Sequence, residues 1–227
     1  MSRLIVAGRW RWRGMVAAGM VAGVSLALSG CIFAPMLRAS ELKGSHDVKA
    51  KYTGLAGKSF AVVVSADRMI QADYPMLVGQ ITSTVGQYLA DNCDASGWIE
   101  PQDVMAFQYK NPRWSVMRLD DLAKELGVER LVMVEIMEFR LHEPGNQYLW
   151  RGSATAKVGV IESDGIVNDN FVFQEQVRSQ FPQNERALGP AQMSGDVVQV
   201  QLAKKLVNRI SWLFYDHTEK NVESELE

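Results

Sequence analysis

Few side chains in this 227-residue sequence have the type and spacing that chemistry demands. Cys31 closes the stretch LALSGC, behind two small residues, Ser29 and Gly30, and is the only nucleophile in that window. A thiol so placed can be alkylated, and the small residues leave the backbone open to a peptidase. The histidines, His46, His142 and His217, lie far apart, and none has a second ligand at metal spacing, so no metal site is expected. A nucleophile elbow, a Cys–His arrangement and a phosphate-cradling glycine loop are all missing. Asp120 and Asp121 fall in the first turns of an expected helix, where carboxylates favour the positive dipole end. Asp120 and Lys124 make an i,i+4 pair there. Glu135 and Glu138 are expected on opposite faces of one strand. Glycoside hydrolysis instead uses two carboxyls about 5 to 9 Å apart across a cleft. The expectation is therefore no catalytic residue, no cofactor and no enzyme activity. Of the tryptophans, Trp150 and Trp212 fit apolar stripes and read as core. Trp114, beside Arg113 and just after Asn111-Pro112, stands outside them, so Arg113 and Trp114 are the candidate partner contact.

The residues that position Cys31 read as an address. Arg3, Arg9, Arg11 and Arg13 make the start basic, and no acidic residue precedes Glu41. Residues 15–28 carry no charge, but a membrane-crossing helix needs about 20 apolar residues, so this run is short. A basic start, a short apolar centre and small residues beyond it make a secretory signal, with the positive end held on the cytoplasmic side. The ending Leu28-Ser29-Gly30-Cys31 resembles the lipobox of bacterial lipoproteins. That resemblance implies diacylglycerol on the Cys31 thiol, cleavage between Gly30 and Cys31, and acylation of the new amino group. Each buried methylene then adds about 0.8 kcal/mol to membrane attachment, so several chains anchor stably. Ile32 follows the cysteine where an Asp tends to retain enterobacterial lipoproteins at the inner membrane. The resemblance thus implies an outer membrane lipoprotein whose folded part faces the periplasm, with the inner membrane as the other option.

Removing residues 1–30 leaves roughly 195 residues, within the range of one domain. The composition, 47% hydrophobic and 22% charged, suits a packed fold rather than a disordered stalk. Formal net charge is -2, and losing the four early arginines takes it to about -6. No basic patch stands out, so nucleic acid is not an expected partner. Cys31 and Cys93 are the only cysteines, which excludes a disulfide framework once Cys31 is lipidated. Cys93, near a helix end, reads as a small core residue, with a reactive thiol or an intermolecular bridge as the alternative.

Periodicity then orders the rest. Residues 31–56 read as a lipidated tether of mixed charge, residues 57–217 as the periplasmic domain and residues 218–227 as a flexible acidic tail. Residues 58–65 form a buried strand. Asp73 and Pro75 open a helix with the stripe Leu77, Ile81, Val85, Tyr88 and Leu89, ending near Asn92. Residues 98–101 are a short strand and turn, and the pattern of 104–109 is ambiguous between helix and strand, with Asn111-Pro112 ending it. Ser115 caps a helix bearing Val116, Leu119, Leu122, Ala123 and Leu126, which Gly127 ends. Strands follow at 130–141, 148–163 and 171–181. The middle one is expected to bury Ala154, Ala156, Val158 and Val160 and to wet Arg151, Ser153, Thr155 and Lys157. Ser194 starts the last helix, with Val198, Leu202, Leu206, Ile210, Leu213 and Phe214 as its stripe.

This order gives an α/β (α+β) fold in a single domain: a mixed sheet with a C-terminal antiparallel meander and helices packed against one face. The stretches FAVVV (60–64), LDDLAKELGVERLVMVEIMEFRL (119–141) and LWRGSATAKVGVIESDG (149–165) resemble the periplasmic α/β domains of the curli-secretion lipoprotein CsgG, the TolB N-terminal domain and the LpoB type of penicillin-binding-protein activator. The resemblance covers about residues 58–216 and carries no catalytic signature. Three functions follow from these readings. The first is a membrane-anchored, non-enzymatic lipoprotein that binds or regulates another envelope protein. The second is an oligomeric secretion or pore component of the outer membrane. The third is an envelope enzyme with an unrecognised site.

Overall fold

Phe60, Val62 and Val64 face one way from their strand, Ala61 and Val63 face the other, and all five are buried. A strand buried on both sides needs cover on both, and this requirement organises the computed structural model. The structure describes residues 45–146, 148–164, 170–182, 189 and 191–220. The expected signal, with Gly30 and Cys31, lies outside the described residues, as do 165–169 and 221–227. In chain order the elements are β1 (Ser45–Val48), β2 (Ser59–Ala66), α1 (Arg68–Asp73), α2 (Leu77–Asn92), β3 (Gly97–Trp98) and α3 (Pro101–Lys110). A 3-10 turn (Trp114–Val116) precedes α4 (Leu119–Leu126), β4 (Arg130–Arg140), β5 (Gly152–Glu162), β6 (Phe173–Phe181), α5 (Gly195–Ser211) and β7 (His217–Lys220).

One unit, Asp47–His217, holds a five-stranded sheet in the order β3-β2-β4-β5-β6. β2 runs parallel to β3 and β4, and β4, β5 and β6 form the expected antiparallel meander. The fold class is mixed α/β, as the periodicity requires. The helices, however, cover both faces rather than one. Leu77, Ile81, Val85 and Leu89 of α2 and Leu202, Leu206 and Ile210 of α5 meet Phe60, Val62, Val134, Ala156 and Val158 on one face. Val104 of α3 and Leu122 and Ala123 of α4 meet Ala61, Val63, Leu131 and Ile161 on the other. The cover on that second face stops partway along the strands. The other unit comprises Met1–His46 and Thr218–Glu227. β1 and β7 pair as a separate two-stranded sheet, so Thr218–Lys220, read as tail, are strand because their backbone has a partner.

Local expectations fail where the backbone has a better partner. Asp73 does not open α2; it is the last residue of α1, whose cap is Asp67, accepting from the Ile70 N–H at 2.8 Å. Tyr74 leaves the helix at φ -134°, as a residue before proline must. Ser115 caps nothing, since it lies in the 3-10 turn, and Val116 is 80% exposed rather than part of the α4 stripe. Residues 104–109 belong to α3, started by Pro101 and carrying Asp103 in its first turn and Lys110 in its last. Gly127 ends α4 at φ +69° and donates to the Ala123 and Lys124 carbonyls, the left-handed cap expected of it.

The stretch read as tether reaches into the core. Leu55 is 1% exposed, and the Tyr52 ring packs against Phe173 and Phe214 at centroid distances of 5.5 and 6.0 Å. The Lys51 and Tyr52 N–H groups donate to the Leu213 carbonyl at 2.8 and 2.9 Å. Lys49 pairs with Asp216 at 2.6 Å. Chain 49–55 is therefore a strap tied to the C-terminal end of the last helix.

Candidate functional site

β4 and β5 are in register from Arg130 opposite Glu162 to Ile136 opposite Ala156. Then Glu138, not Met137, stands opposite Thr155. Met137 is thus the extra residue of a β-bulge and is 53% exposed. The bulge cancels one step of the alternation. Glu135, opposite Lys157, and Glu138, opposite Thr155, consequently share one face of the sheet. This corrects the expectation that the two carboxylates point apart, which a regular strand would have required.

That shared face is the part left uncovered by α3 and α4. Ser153 and Thr155, expected to be wet, are 3% and 6% exposed, because charged side chains lie over them. Glu138 Oε2 accepts from Thr155 Oγ1 at 3.1 Å and Ser153 Oγ at 3.3 Å. Its other oxygen accepts from Arg140 Nε, and Arg178 of β6 approaches to 3.7 Å. The Arg140 guanidinium holds the Glu138 carboxyl below the usual carboxylate range, against the opposing effect of burial, and the two hydroxyls act with it. A carboxyl held ionised in this way is a poor proton donor.

Beside this cluster is a groove of about 280 Å³. Met133, Glu135, Lys157, Gly159, Gln174 and Ser65 line it, with Trp114 and Ser115 at one side and Phe171 among its walls. The Phe171 ring lies where a Cβ on Gly159 would sit, 2.4 Å from its nearest atom. A glycine between Val158 and Val160 in the interior of β5 is the sequence signal of this close approach.

Of the expected contact pair, Trp114 is half-buried, packs against the α3–α4 core cluster and lines the groove, while Arg113 beside it is exposed. Trp150 and Trp212, expected in the core, are half-buried and belong to neither core cluster; the Trp150 indole N–H donates to the Met193 carbonyl at 2.7 Å. The ring also stacks on His142 at 4.3 Å. Trp212 stacks on His217 at 4.5 Å. Cys93 is 7% exposed, and burial pushes its thiol up to about 12, which makes it a core residue and not a nucleophile. Asp120 is buried between Arg118 at 3.1 Å and Lys124 at 3.2 Å, so the i,i+4 pair is real. These cations hold its carboxyl below the usual range.

At the opposite end of the strands, Lys58 bridges Glu129 and Asp164, each at 2.8 Å, and the buried Arg130 contacts Asp164 and the Gly54 carbonyl. This cluster closes the strap rather than a cleft. Among the described residues no helix is long and apolar enough to cross a membrane.

No protein-family model matches this chain, and no curated protein matches it either. Solved structures resemble it in chain course. The PelC dodecamer from Paraburkholderia phytofirmans is 11% identical, with a TM-score of 0.43, covering 76% of this chain and 97% of that one. Lipoprotein GNA1162 from Neisseria meningitidis is 12% identical, with a TM-score of 0.44, covering 67% and 97%. The LpoB C-terminal domain from Salmonella enterica is 10% identical, with a TM-score of 0.35, covering 55% and 83%. Bacterial lipoproteins are thus among the structures it resembles, and at these values the likeness concerns chain course alone.

Proposed function

We propose that this protein is a bacterial envelope lipoprotein that works by docking another envelope protein and not by turning over a substrate. In this reading the chain is cut between Gly30 and Cys31. Cys31 then carries diacylglycerol and acyl chains at the outer membrane, and the folded unit faces the periplasm. The observation that carries the docking is Trp114 with Arg113. A half-buried indole and an exposed guanidinium stand beside the part of the sheet face around Glu135 and Lys157 that α3 and α4 leave exposed. Aromatic and arginine side chains dominate binding energy at interfaces. Confinement near the membrane raises the effective concentration of a partner in the same space, so a modest interface suffices. Non-enzymatic action is supported by Glu138, whose carboxyl is tied up by Arg140, Thr155 and Ser153.

The test is site-specific photo-crosslinking in cells from position 113, with position 204 as the control. Lys204 is exposed on α5, which packs on the opposite face of the sheet. One envelope protein captured from 113 and not from 204 is the expected result. Equal capture from both positions, or none from 113, refutes docking at this loop. Hydrolysis of peptidoglycan or an ester by the purified protein refutes the non-enzymatic reading.

A further inference from the structure

Glu135 and Lys157 are direct register partners on β4 and β5, and both are exposed in the floor of the groove. Among the described residues neither side chain has an ion pair or hydrogen bond, although the neighbouring Glu138, Arg140 and Arg178 are engaged with one another. Two opposite charges therefore stand side by side, unspent, between Trp114 and Phe171. We infer that this groove binds a free α-amino acid with a large apolar side chain, its ammonium on Glu135 and its carboxylate on Lys157.

Charge complementarity selects this ligand over its neighbours in chemistry. An anion meets Glu135, a cation meets Lys157, and a neutral molecule leaves both charges unserved. A zwitterion satisfies both. Side chains directly opposite on antiparallel strands start about 4.5–5.5 Å apart at Cβ. An α-amino acid carries both charged groups on one carbon, so it spans the two heads in one pose. Closing the exposed Glu135–Lys157 pair on itself gains little, so a ligand gives up little by inserting.

Size agrees. The groove's 280 Å³ falls just below the roughly 300 to 1,000 Å³ of sites for drug-sized ligands, which suits a smaller molecule such as one amino acid. Trp114, Met133 and Phe171 supply apolar walls for the side chain, and Ser65 and Gln174 offer further hydrogen bonds. The bulge at Met137 is part of the device. It places Glu138 opposite Thr155, where it neutralises Arg140 and Arg178 and leaves Lys157 as the cation facing Glu135.

The experiment is calorimetric titration of the full chain, purified in mild detergent, with L-phenylalanine, L-phenylalaninamide and N-acetyl-L-phenylalanine. The expected result is saturable binding of one L-phenylalanine per chain. Each blocked analogue should be weaker by roughly two- to fivefold, the loss of one exposed charge contact. Glu135→Gln and Lys157→Gln should each weaken L-phenylalanine to a similar degree with the melting temperature unchanged. The analogue series on the unaltered protein decides the matter even if a variant folds poorly. Blocked analogues that bind as well as L-phenylalanine overturn the proposal, as does the absence of heat at millimolar ligand. Tighter binding of L-alanyl-L-phenylalanine than of L-phenylalanine also overturns it, since the site would then take a peptide.

Discussion

The Tyr52 hydroxyl donates to Glu162 Oε1 at 2.8 Å, joining a residue between β1 and β2 to the end of β5. Arg130 reaches toward the same carboxylate, 3.6 Å away. Tyr52 also sits among Phe173 and Phe214, and Leu55 beyond it is buried. The strap is therefore a structural part of the unit that begins at Asp47.

A fragment of residues 47–217 should accordingly melt cooperatively, and one of 57–217 should be much less stable or unfolded. Within the full chain, Leu55→Ala should cost about 2–5 kcal/mol, the range for truncating a buried leucine. Denaturant melts followed by circular dichroism measure both. Equal stability of the two fragments would show the strap to be dispensable.

Acid should loosen the same region. Lys58 and Arg130 hold the Asp164 carboxyl down at about 2, below its usual value of 3.8. A folded pKa below the unfolded one means this group's contribution is complete above about pH 4 and is lost as pH falls toward 2. Asp164→Asn should lower the melting temperature at pH 7, and its deficit should shrink between about pH 4 and pH 2. A deficit constant over that window would assign the effect to packing instead of charge.

Cys93 should resist thiol reagents. Burial raises its thiol to about 12, and its Sγ lies 3.7 Å from the Phe214 carbonyl. At pH 8 the folded protein should show almost no alkylation at this position, and denaturant should make it complete. Rapid modification of the native protein, read by mass spectrometry, would contradict the buried placement.

Cys31→Ala should leave an uncleaved or mislocalised precursor. Flotation of membranes and the mass of the mature N-terminus measure this. A variant that matured and floated like the original would refute lipidation at Cys31.

Much of the fold was legible from spacing. The stripes of α2 and α5, the left-handed stop at Gly127 and the β4–β5–β6 meander follow from patterns of three, four and two within single segments. The candidate site was legible only at its rim, through Trp114 beside Arg113. Glu135 is legible only as a residue on one strand face and Lys157 as one on the wet face of the next strand, with nothing local to show that they stand opposite each other.

The expectation of a lipidated Cys31 rests on local order alone, since a signal of that kind is recognised as an extended string with no need of a fold. Helix and strand periods are local in the same way, because each depends on backbone geometry within a few residues. The bulge is of another kind. Whether Met137 is an extra residue depends on how β4 pairs with β5, and only that pairing puts Glu135 and Glu138 on one face. The same holds for the buried strap and for Phe171 on Gly159, where the ring enters because no side chain fills the space. Such relations arise from contacts between segments distant in sequence, and a pattern confined to one segment carries no record of its partner.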